Sequence, residues 1–103
     1  MTVIDVNTGK FEGNKNNSET ILKVNLEAAR QIARQLRLRN ISGIIIIDFI
    51  DMKEEDHRRQ LMEELEKAVS YDPTKTIVVD ITRLNLVELT RKRMRKTLFE
   101  QLS

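Results

Sequence analysis

The 103-residue sequence contains no cysteine. Disulfides, thiolate metal sites and a cysteine nucleophile are therefore excluded, and the redox compartment is left open. Only four aromatic residues occur, Phe11, Phe49, Tyr71 and Phe99, which argues against a platform of stacked bases. There is a single histidine, His57, and a single proline, Pro73. No Gly-rich phosphate loop and no Ser-His-Asp set is visible, so those reaction classes have little support. No apolar run is long enough to span a bilayer. Met1-Thr2-Val3 lacks the basic region and apolar core of a signal peptide, and a cytoplasmic protein without membrane contact is expected. The net charge of +2 is too small to argue for nucleic-acid binding by itself, so the distribution of charge carries more information.

What is present is an ordinary balance of 40% hydrophobic and 33% charged residues, enough for one small domain with one core. Its most informative stretch is Ile44-Ile45-Ile46-Ile47-Asp48-Phe49-Ile50-Asp51. A run apolar at both parities reads as a strand covered on both faces. Burying a charge there would cost several kcal/mol, so the acids belong where the strand leaves the core. The carboxyl ends of strands are where open α/β sheets place ligands. Val3-Ile4-Asp5-Val6-Asn7 repeats the pattern. If the two strands are neighbours, Asp5 and Asp48 converge on one hard cation. Magnesium suits such a site, because it takes one or two carboxylates and keeps several waters. Asn7 shares a strand face with Asp5 and is placed to orient a carboxylate or a metal-bound water. The alternative is that Asp5 opens a turn and Asp48 merely caps a strand.

The rest of the chain alternates between strand and helix signals. Residues 8–18 form a polar, Asn- and Lys-rich stretch with Gly9 and Gly13 as breakers and read as a mobile loop. Over residues 19–39, Leu22, Leu26, Ala29, Ala33 and Leu36 make one helical stripe, with Ser18 as the expected N-cap. A second helix is expected from Asp51, paired with Glu54 in a capping-box-like arrangement, with a stripe of Leu61, Leu65, Ala68 and Val69 and an end at Pro73. Residues 76–81 are strand-like, and residues 84–89 are a possible further strand. Met94, Leu98 and Leu102 fit a helix. The order β-α-β-α-β(-β) predicts a small α/β domain of two or three layers with parallel crossovers.

Two basic features stand out. Lys23, Arg30, Arg34 and Arg37 share one face of the first helix, where a solvated face is the simpler explanation. Arg91, Lys92, Arg93, Arg95 and Lys96 crowd around Met94, a density suited to phosphate backbones. The acids beside His57 are explained by the helix macrodipole, and His57 is expected to be exposed.

Taken together, the residues resemble a known family. Asn25 through Ile41 (NLEAARQIARQLRLRNI), continuing through Gly43 to Asp48-Phe49-Ile50-Asp51-Met52, is similar to the hallmark of the ribonuclease E/G family. Ile4-Asp5-Val6-Asn7-Thr8-Gly9 resembles that family's upstream metal motif, and Leu86-Val87-Glu88-Leu89-Thr90-Arg91-Lys92-Arg93 its downstream basic motif. The resemblance implies a DNase I-like subdomain, with two main helices packed on a mixed sheet, filling residues 1–103. It implies that Asp5 and Asp48 hold a catalytic Mg2+, that Asn7 supports the site, and that Lys75, Arg91, Lys92 and Arg93 contact RNA. The implied reaction is hydrolysis of single-stranded RNA to a 5′-phosphate product during RNA processing and decay.

Two positions depart from the family pattern. Lys75 stands where some members carry arginine near the active site, and Asn85 where glycine is usual. Family enzymes also carry an S1 domain, a 5′-sensor region, an RNase H-like region and a Cys-Pro-x-Cys zinc link that joins subunits. The sequence matches none of these, so it is expected to be an excised part of a longer, oligomeric ribonuclease or a severely truncated relative, with little or no activity alone. The competing expectation is a non-catalytic RNA-binding or assembly module that keeps the fold.

Overall fold

The computed structural model describes residues 1–6, 17–81 and 86–92. In chain order these form β1 (Thr2–Asp5), α1 (Ser18–Leu38), β2 (Gly43–Asp48), α2 (Glu55–Ser70), β3 (Thr76–Ile81) and β4 (Leu86–Arg91). The strands make one mixed sheet of order β1-β2-β4-β3. β1 and β2 are parallel and joined through α1, as the alternating pattern predicts. The second crossover differs from expectation. β3 does not pair with β2, because β4 lies between them, antiparallel to both. The connection from β3 to β4 is short enough for an antiparallel neighbour, and that hairpin takes the place beside β2.

Both helices cover one face of the sheet. The α1 stripe of Leu22, Ala29, Ala33 and Leu36 and the α2 stripe of Leu61, Leu65 and Val69 meet Ile45, Ile47, Val87 and Leu89 from the strands. Among the described residues, the isoleucine run is consequently covered on one side only. Ile45 and Ile47 have no exposure, whereas Ile44 remains 46% exposed. Val3, Ile77 and Val79 are also exposed.

Local chemistry sets the helix ends, and two expectations are corrected. The N-cap of α1 is Asn17 rather than Ser18, since the Asn17 Oδ1 accepts from the Glu19 and Thr20 amides at 3.0 and 3.2 Å. The helix closes in a Schellman arrangement, in which the Ile41 amide donates to the Leu36 carbonyl and the Asn40 amide to the Arg37 carbonyl. Asn40 takes the left-handed conformation this requires, at φ 51°. Gly43 opens β2 at φ +90°, in open space, so its conformation rather than its size demands glycine.

The second correction is that α2 starts at Glu55, not Asp51. The intervening segment is spent burying Phe49, Ile50 and Met52, and helical geometry begins only after Met52 is placed. Glu54 is the N-cap residue but makes no capping bond. At its far end α2 stops at Ser70 with Tyr71 as its C-cap, just ahead of Pro73, as expected. The loop over 8–18, up to residue 16, together with Asn85 and the helix expected around Met94, lies outside the described residues.

Candidate metal centre

Asp5 and Asp48 end the two parallel strands, and they are register partners. Ile4 and Ile47, the residues just before them, pack into the core. Side chains alternate along a strand, so both aspartates stand on the opposite, uncovered face. Register partners on neighbouring strands lie about 4.8 Å apart at the backbone, which brings the two carboxylates within the span of one cation. The Val6 amide donates to the Asp48 carbonyl at 2.9 Å and extends the pairing one step past β1. The electrostatics register the proximity. The Asp48 carboxyl is pushed above its ordinary value, chiefly by partial burial and further by the negative charge of Asp5.

The chain just after Asp48 is held by a residue the sequence reading had not singled out. Asn25 is wholly buried on α1. Its Nδ2 donates to the Ile50 carbonyl at 2.9 Å, and its Oδ1 accepts from the Ile50 amide at 3.1 Å. This two-way bond satisfies both groups in the interior and fixes the course of the strand exit carrying Asp48. A polar residue in the interior stripe, between Leu22 and Ala29, is the signal that could have revealed it.

Glu88 was also missed. It pairs in register with Ile46 and alternates with buried Val87 and Leu89, so it shares the open face one step in from the acid pair. Among the described residues, no three His, Cys, Asp or Glu side chains are grouped to hold a metal. Among the described residues the donor set is two hard carboxylates, Asp5 and Asp48. It fits magnesium, which completes its shell with water.

The described basic residues of the expected RNA-contact set, Lys75, Arg91 and Lys92, are elsewhere. Lys75 and Lys92 are exposed, and the Lys92 amide donates to the Lys75 carbonyl at 2.9 Å. They adjoin the start of β3 and the end of β4, separated from the aspartates by the length of β2, about 17 Å. Arg91 is only 3% exposed. Its Nε and Nη2 grip the Asp72 carboxylate at 2.7 and 3.1 Å, and its Nη1 donates to Asn40 Oδ1 and the Ile41 carbonyl at 2.9 and 3.1 Å. With its donors committed inside the fold, Arg91 ties the ends of both helices to the sheet, and the expected RNA contact is corrected to a structural role. Asn7 and Arg93 lie outside the described residues.

His57 likewise departs from expectation. It is 6% exposed, with Nε2 at 2.8 Å from Glu54 and 3.6 Å from Glu19. It bridges the first turns of α1 and α2.

Comparison with known proteins places this geometry in context. A profile of the Ribonuclease E/G family matches residues 1–94. The chain is 56% identical to Ribonuclease G of Escherichia coli K12 over 98 residues, covering 95% of the chain and 20% of that protein. Ribonuclease G of Haemophilus influenzae is 53% identical over the same shares. A Ribonuclease E/G-like protein of Porphyra purpurea is 49% identical over the whole chain, again 20% of that relative. The chain thus spans about a fifth of the length of the curated relatives it matches. With the profile covering nearly all of it and identities near one half, the chain belongs to the Ribonuclease E/G family.

Proposed function

We propose that this chain is the magnesium-binding catalytic part of an endoribonuclease that hydrolyses single-stranded RNA. The observation that carries the reading is the in-register pair Asp5–Asp48 at the ends of two parallel strands, on the face the helices leave open. Asp5 and Asp48 hold the ion, and Asn25 positions the backbone beyond Asp48. Bound magnesium supplies Lewis acidity to a phosphodiester and makes a bound water more acidic. Burial is the larger cause of the raised Asp48 carboxyl and the charge of Asp5 the smaller, and a cation between the carboxylates would offset the second.

Magnesium titration followed by backbone amide NMR tests the proposal, on the wild type and on Asp5→Asn/Asp48→Asn. Saturable shifts clustered around Asp5 and Asp48 and lost in the variant are expected. Small shifts spread over all surface acids, identical in both proteins, would sink it.

A further inference from the structure

The helix layer carries a second charged feature that the acid pair does not use. A cleft of about 530 Å³ runs between α1 and α2. Arg30, Arg34 and Arg37 line it from α1, Lys67 from α2, and Tyr71 stands beside them just past the end of α2. Two acids also line it, Glu27 and Glu64, but both are engaged by Arg30 at 3.2 and 3.6 Å. Arg34, Arg37 and Lys67 have no ion-pair partner among the described residues. The nearby Asp72 is already held bidentate by buried Arg91. The four cations of the lining outnumber its two carboxylates, so the cleft keeps a net positive charge.

Tyr71 supplies the second, independent observation. It is 69% exposed, an aromatic side chain left in water beside these cations. A basic groove with an exposed ring beside it is the arrangement that holds a single strand, with phosphates on the cations and a base on the ring. A double helix stacks its own bases and has no use for the ring.

We propose that the α1–α2 cleft is a further RNA-contact surface, with the backbone of a single strand on Arg34, Arg37 and Lys67 and one base against Tyr71. The inference rests on the reading of the chain as part of a ribonuclease, and it adds a contact on the helix layer, across the sheet from Asp5 and Asp48.

The test is fluorescence anisotropy with a short labelled single-stranded RNA, in EDTA, over a series of salt concentrations. EDTA removes any contribution from a cation held by the acid pair. Arg34→Gln/Arg37→Gln/Lys67→Gln is expected to flatten the plot of log affinity against log salt by about 2, at about 0.7 per phosphate contact. Arg34→Gln/Lys67→Gln, which leaves Arg37 near Asp72 undisturbed, should flatten it by about 1.4. Tyr71→Ala is expected to weaken binding about fivefold or more, whereas Tyr71→Phe stays near wild type. Wild-type slope and affinity in both cleft variants would overturn the proposal. So would a loss produced only by Lys75→Gln/Lys92→Gln, or tighter binding to duplex RNA than to the single strand. In EDTA the assay reads the cleft without a bound cation. A failure of the magnesium titration and a failure of the cleft are therefore read separately.

Discussion

At the scale of single residues, the Arg91–Asp72 pair shows how parity along a strand overrides charge density. Arg91 follows buried Val87 and Leu89 at steps of two, so alternation alone directs it to the core. Reading the basic cluster by density hid that signal. His57 repeats the lesson at helical spacing, four residues before Leu61 in a stripe that continues to Leu65 and Val69. Both side chains of the Arg91–Asp72 pair are 3% exposed. Removing one partner of such a buried pair strands the other, and Arg91→Ala is expected to cost about 3–5 kcal/mol in denaturant unfolding. The same pair gives a pH dependence. The Arg91 guanidinium beside Asp72 holds its carboxyl below the ordinary value of 3.8 that it recovers on unfolding. The unfolded chain then takes up the proton more readily. The stabilisation is complete above the unfolded value and is lost as pH falls through the folded one. Urea unfolding below about pH 4 should show this loss in the wild type and a shallower one in Asp72→Asn.

At the scale of elements, the helices were legible because their stripes are long and regular, and β2 because four isoleucines precede an acid. The N-caps were less legible because Asn17 and Ser18 are adjacent and equally suited to capping. Asn17→Ala should cost about 1 kcal/mol, measured by thermal unfolding, and Ser18→Ala much less. The start of α2 was misread because Asp51 and Glu54 have the right spacing, while the need to bury Phe49, Ile50 and Met52 delays the helix. Covering of β2 on both faces was the natural reading of an unbroken apolar run, yet the helices reach only one. Two neighbouring residues report the difference. Ile45→Ala should cost about 2–5 kcal/mol through the cavity it leaves, and Ile44→Ala under about 1 kcal/mol. Equal losses would show that the open face is packed in solution.

At the scale of the whole molecule, the candidate site was legible as two acids, and their meeting depended on β1 and β2 being parallel neighbours in register. The placement of β4 between β2 and β3 was not legible, because a strand after a short connection can pair on either side of its predecessor. Positioning of substrate supplies much of an enzyme's rate, and the chain spans a fifth of its relatives. Little or no cleavage of single-stranded RNA by the chain alone is therefore expected. Robust magnesium-dependent cleavage abolished in Asp48→Asn would contradict this. Among the described residues, β1 is a four-residue strand at the edge of the sheet, paired on one side only. Half of the acid pair thus rides on a short edge element, the kind that opens locally at low cost. On the proposed reading, cation affinity is lowered by the fraction of molecules with β1 detached, and bound cation closes that equilibrium in return. Magnesium should then slow hydrogen exchange at the Val6 amide, which donates to Asp48, while leaving the interior of α1 unchanged. The ion would act as a staple for the strand as well as a reagent for the chemistry.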